Sequence, residues 1–103
     1  MSIEIGDYVF EGPYDSTDSL KDNSGVYAIL DKRTDGNFYV VDIGESAQVK
    51  TRIEGHDRVG CWKKQAKGAL YVAVHYTPNK QQSGRKEIEQ KLRDQFNPPC
   101  GDR

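Results

Sequence analysis

Two short runs rich in β-branched and aromatic residues, Gly25 to Leu30 and Phe38 to Ile43, flank Thr34-Asp35-Gly36-Asn37. Such runs favour extended chain and Asp-Gly favours a tight turn, so the pair predicts a β-hairpin. Ser46 stands where it can cap a following helix, in which Val49 and Ile53 fall one turn apart on a buried stripe. A short helix or turn around Arg58 to Gln65, anchored by Trp62, and a third strand from Leu70 to Tyr76 come next. From Ser83 or Gly84 onward, Ile88, Leu92 and Phe96 recur every four residues until Asn97-Pro98-Pro99, which predicts an amphipathic helix packed on a sheet. The expected fold is a small layered α/β domain with a three-stranded, mostly antiparallel sheet flanked by helices. Its domain spans residues 24–103. Residues 1–23 read as an acidic extension with one edge strand around Tyr8 to Phe10.

A chain of 103 residues supports a single modest core, so any activity must share that scaffold. No stretch reaches the roughly 20 apolar residues of a membrane helix, and the start lacks the pattern of a signal peptide. Both features point to the cytoplasm. Cys61 and Cys100 lie far apart in such a chain, so reduced thiols are expected unless the fold brings them together. A zinc site from Cys61, Cys100, His56 and His75 is set aside because no close ligand pair has zinc-type spacing.

The formal net charge of -1 conceals an asymmetry: residues 1–23 carry -5, residues 24–46 carry -2, residues 47–78 carry +4 and residues 79–103 carry +2. A basic C-terminal half permits a local, salt-dependent phosphate-binding face, although ordinary solvated surface accounts for the charges equally well. Lys50, Arg58, Lys63 and Lys64 are its candidate nucleic-acid contacts.

Gly25-Val26-Tyr27, then Asp42-Ile43-Gly44, then Arg52 eight residues after Gly44, then His56, then Glu89 nine residues before Pro98, form an ordered set. That set, covering about three quarters of the chain, resembles the GIY-YIG nuclease domain. The resemblance implies a divalent-metal-dependent endonuclease that hydrolyses phosphodiester bonds in DNA. It implies Tyr27, Arg52, His56 and Glu89 as catalytic residues, Glu89 as ligand to Mg²⁺ or Mn²⁺, and Asn97 as a further candidate. Asp42 occupies the place of the family's second tyrosine. It either cripples the site or adds a second carboxylate beside the metal. Strand alternation places Tyr39 and Asp42 on opposite faces, so Tyr39 cannot substitute without a bulge.

The chemistry is consistent with the residue types. Mg²⁺ needs one or two carboxylates and completes its shell with water and phosphate; arginine matches phosphate geometry. An ordinary phenol is about one part in a thousand ionised at neutral pH, so Tyr27 needs help to act as base, and His56 is the second candidate. Taken alone, Glu89 also sits one turn from Arg85 and Arg93, where an ion-pair ladder accounts for it. The alternative function is a non-catalytic nucleic-acid-binding or accessory module on the same scaffold. A third is an interaction domain whose acidic N-terminal segment covers the basic half. No recognition domain for base sequence is visible. Branched or structured DNA, or a protein partner, would then supply specificity, and RNA stays open.

Overall fold

The run Gly25-Val26-Tyr27-Ala28-Ile29-Leu30 is apolar without alternation, the pattern of a strand covered on both faces. In the computed structural model, which describes residues 1–101, it lies within a strand, Gly25–Lys32, that is buried up to its last residue. The elements in chain order are β1 (Ser2–Ile5), β2 (Tyr8–Tyr14), β3 (Gly25–Lys32), β4 (Phe38–Ser46), α1 (Val49–Glu54), α2 (Val59–Gln65), β5 (Ala69–Tyr76) and α3 (Gln82–Phe96). One sheet of order β1-β2-β5-β3-β4, with antiparallel neighbours throughout, holds all five strands.

The α/β class holds, but the sheet has five strands rather than three. The two additional strands come from the acidic N-terminal segment. There Glu4 and Glu11 face solvent while Ile5 and Phe10 are buried, so net acidity masked an alternating pattern. Gly6, at φ 62°, is the first central residue of a two-residue turn joining Ile5 to Tyr8, a conformation that suits glycine. The hairpin so formed covers the edge of β5 through β2.

Odd and even residues of β3 build two cores. Val26, Ala28 and Leu30 pack with Ile5, Phe10, Ile43, Ala73 and with Ile88 and Leu92 of α3. Tyr27 and Ile29 pack on the other side with Val49 and Ile53 of α1, Trp62 of α2 and Leu20. Helix α1 is not capped by Ser46, whose hydroxyl instead accepts from the Gln48 amide; Asp22 accepts the Thr51 amide at 2.9 Å and the Thr51 hydroxyl at 2.6 Å. Those bonds hold the Asp22 carboxyl below its ordinary pKa. The remote acidic loop thereby fixes the start of α1.

Strand β4 lies at the sheet's other edge and contains a β-bulge. Asp42 is opposite Ile29 and Val40 opposite Leu30, leaving Val41 as the extra residue. Tyr39 and Asp42, opposite Asp31 and Ile29, consequently share a face, which alternation alone does not give. The Val41 carbonyl accepts the Cys100 amide at 3.1 Å. Cys100 is also disulfide-bonded to Cys61 across a Cα separation of 6.0 Å. The thiols are thus not free: α2 and the chain after α3 meet at the edge of β4, a contact that residues 39 apart in sequence do not announce. No helix among the described residues is long and apolar enough to cross a membrane.

Phe10 is fully buried in the core shared with α3. Phe10→Ala is expected to cost about 3–5 kcal/mol in urea unfolding, whereas loss of a residue from a loosely attached extension would leave the midpoint in place.

Candidate active site

Tyr27 on β3 and Gly44 on β4 are cross-strand partners. The phenol lies directly over the glycine, where a Cβ would come 2.1 Å from the Tyr27 Oη. Gly44 is therefore a space requirement of Tyr27. The hydroxyl meets His56 Nε2 at 2.7 Å, and the imidazole, wholly buried, packs at a tilt of 46° against Trp62 with ring centroids 4.6 Å apart. The Arg58 backbone N–H donates to His56 Nδ1 at 3.0 Å. Asp57 Oδ1 also lies 3.2 Å from Nδ1, but an amide can only donate, so the shorter Arg58 contact assigns the neutral imidazole's proton to Nε2, facing the Tyr27 oxygen. The phenolic proton then points away from His56.

Burial, followed by the charges of Arg58 and Arg52, lowers the His56 pKa to about 4. Burial, reinforced by Asp42 and Glu89 and opposed by Arg58 and Arg52, raises that of Tyr27 to about 12. At neutral pH both groups are uncharged. The same interactions place Arg52, Arg58, Asp42 and Glu89 within electrostatic reach of the Tyr27 hydroxyl. Residues from β3, β4, both short helices' flanks and α3 thus converge on one region.

Asp42 does not open toward that region. Its buried carboxylate accepts from Trp62 Nε1 at 2.7 Å, from Arg58 Nε and Nη2 at 2.8 and 3.2 Å, and from Arg93 Nη2 at 2.6 Å. Arg93, reaching round the edge of β4 from α3, also donates to the carbonyls of Ile43 and Cys100. Gly101, at φ 96°, makes room for it, since a Cβ there would meet the guanidinium at 2.4 Å. Asp42 is a structural acceptor for three donors, and Arg58 is half committed to it. Arg93 and Trp62 as its partners were not legible, because nothing local links residues 20 and 51 positions apart.

Glu89 is different. The ladder available to it on α3 does not form: Arg85 pairs with Glu45 at 2.9 Å and Arg93 with Asp42. Among the described residues the Glu89 carboxylate has no hydrogen bond or ion pair. It is half-buried, and burial, with a contribution from Glu45, raises its pKa despite Arg93 and Arg58. A carboxylate held so, without a protein partner, has the donor chemistry for a hard divalent cation completed by water and phosphate.

Arg52 bridges Asp57 at 3.2 Å with both side chains partly in solvent, so it is available to a ligand. Lys63 and Lys64 are exposed in the last turn of α2, and Lys50 is half-buried on α1. Asn97 ends α3 in the left-handed conformation at φ 47°, donating its amide to the Arg93 carbonyl. It stands away from Tyr27, at a cavity on β4. His75 sits apart from His56, bonded to the Val9 carbonyl beside Tyr8 and Phe10, so the four zinc candidates do not assemble. No group of three or more His, Cys, Asp or Glu side chains suited to a metal occurs among the described residues.

Comparison with protein-family models, with curated proteins and with solved structures returned no match.

Asp42→Asn removes the buried charge that Arg58, Trp62 and Arg93 share and should cost about 3 kcal/mol or more in denaturant unfolding. Arg52→Ala, which breaks only a solvent-facing pair, should cost less than about 1 kcal/mol. The His56 pKa is depressed in the folded state, so the unfolded chain binds its proton first and stability falls as pH drops from about 6.5 toward about 4. His56→Gln should flatten that interval in urea titrations at stepped pH; an unchanged slope would mean that His56 is not buried as a neutral ring.

Proposed function

We propose that the chain is a divalent-metal-dependent endonuclease that hydrolyses phosphodiester bonds in DNA, in the manner its resemblance to GIY-YIG nucleases implies. The observation that carries this reading is the Glu89 carboxylate, left without an ion-pair partner among the described residues while both neighbouring arginines are engaged elsewhere. It lies within electrostatic reach of Tyr27 and Arg58.

In this reading Glu89 holds Mg²⁺ or Mn²⁺. The bound ion supplies Lewis-acid polarisation of the phosphoryl group and stabilises the leaving oxygen. Arg52 exchanges its exposed bridge to Asp57 for the phosphate, where it offsets charge on the transferring group. Tyr27, with a pKa of about 12, is ionised in roughly one molecule in 10⁵ at neutral pH. It acts first as a hydroxyl donor whose proton, directed away from His56, orients water or a phosphate oxygen. His56 fixes that orientation through its Nε2–H on the phenol oxygen. Lys50, Lys63 and Lys64 hold the strand by phosphate contacts. A cytoplasmic location belongs to the same proposal, and the Cys61–Cys100 bond is then one on which cytoplasmic reductants act.

The sealed position of Asp42 favours a second reading, a nucleic-acid-binding module without turnover. There the residue in the motif tyrosine's place serves the fold alone.

The two readings part in a cleavage time course on supercoiled plasmid, branched DNA and single strands with Mg²⁺ or Mn²⁺. The nuclease reading expects cutting by wild type and a drop of a hundredfold or so or greater in Glu89→Ala with the thermal midpoint retained. Metal binding should weaken as pH falls, because protonation of Glu89, whose pKa burial raises, competes with the cation. Binding without cutting in any of these substrates would select the module.

A further inference from the structure

Beyond the candidate active site, strand β4 borders a cavity of about 550 Å³ between the end of α2 and the end of α3. Two aromatic side chains that a core would bury stay open there, Tyr39 at 37% and Phe96 at 38% exposure. The four-residue recurrence had assigned Phe96 to the core; the α3 helix instead ends with it turned to this rim. Arg33 lies 3.9 Å above the Tyr39 ring. Lys67 lines the same wall, and its ammonium has no ion-pair partner among the described residues. Gln65 and Asn97 line it as well, and among the described residues no carboxylate does.

The rim is built rather than incidental. Asp31, fully buried beneath it, accepts Arg33 Nε at 3.0 Å and the amides of Lys67 and Gly68 at 2.9 and 2.8 Å. One internal carboxylate thus fixes the backbone that carries Lys67 and the guanidinium that covers Tyr39. It offsets the Arg33 charge, Asp35 adds a second carboxylate beside Tyr39, and Lys67 is the cation left without an ion-pair partner among the described residues. The Tyr39 hydroxyl donates to Asp35 at 2.6 Å, which holds its ring in place.

Partly exposed aromatic rings, side-chain amides and a cation outside any ion pair form the combination that binds an unpaired nucleotide: a base stacks, its edge meets an amide and its phosphate meets a cation. We propose that this cavity holds an unpaired base of single-stranded nucleic acid. The inference deepens the nucleic-acid reading of the candidate active site and rests on it. Tyr39 and Gly44 lie on the same strand about 15 Å apart, so a strand seated over Tyr27 extends into the cavity within a few nucleotides. The favoured substrate class is then a single strand, or the unpaired arm of a branched duplex, rather than continuous duplex. A proline-rich peptide is the other occupant suited to an aromatic groove, but it has no use for the Lys67 cation.

The test is fluorescence anisotropy with a labelled oligo(dT), an oligo(U) of equal length and a blunt hairpin duplex, at fixed low salt. Wild type should prefer the single strands to the duplex. Phe96→Ala should weaken single-strand binding about tenfold with little change for duplex, and Phe96→Trp should restore it. Both variants should keep the wild-type thermal midpoint, since Phe96 is part-exposed. Equal single-strand affinity in wild type and Phe96→Ala overturns the cavity assignment while leaving the nuclease reading to its own Glu89→Ala test. Competition by a proline-rich peptide with no nucleic-acid binding by any variant overturns it as well. The Phe96 effect without cleavage of any substrate supports the cavity and removes turnover.

Discussion

A single buried carboxylate organises the open edge of the sheet. Asp42 collects a guanidinium from the segment before α2, an indole from within α2 and a second guanidinium from α3, on the opposite face of the sheet. Buried ion pairs of this kind give little net stability over a hydrophobic replacement, yet removing one member is costly. Their contribution is geometric. With Arg93 bent round β4, both helical layers are fixed relative to one strand, and the carbonyls of Ile43 and Cys100 are satisfied on the way. The edge that would otherwise offer itself to another strand is closed at Val41 and Ile43.

The electrostatics of the candidate site follow from that arrangement. Because Arg85 and Arg93 are drawn to β4, Glu89 is left between them with raised pKa and no ion-pair partner among the described residues. Because Arg58 is held by Asp42, its backbone amide is fixed against His56 Nδ1, and this selects the tautomer that faces Tyr27. Glycine at position 44 leaves space for the phenol. A substitution at Asp42 would therefore disturb the candidate site through Arg58 and Arg93 rather than from within it.

How much of this could be read from the sequence depended on how local its causes are. The hairpin of β3 and β4, the strand β5 and the helix α3 are set by composition, turn residues and period, and all stand near their expected places. The β1–β2 hairpin also had a local signal, Gly6-Asp7 between Ile5 and Tyr8, but clustered acidic residues obscured it. The bulge at Val41 carries no signature in a run of β-branched residues, and it reverses the relation of Tyr39 to Asp42. Tyr27, Arg52, His56 and Glu89 stand out as candidates by their order alone. The pairing of Asp42 with Trp62 and Arg93, the capping of α1 by Asp22 and the Cys61–Cys100 bond depend on packing between distant segments. No periodicity records them.

The disulfide has a topological consequence. Closing Cys61 onto Cys100 makes one covalent ring of the second half of α2, strand β5 and helix α3. On a chain-entropy account a ring of this size removes about 4 kcal/mol of freedom from the unfolded chain. Glu89 belongs to the ring, while Tyr27, Arg52 and His56 belong to the open chain before it. The candidate site is the seam between the two. Any opening that lifts the ring off β3 and β4, even with every element inside it intact, separates the carboxylate from the phenol.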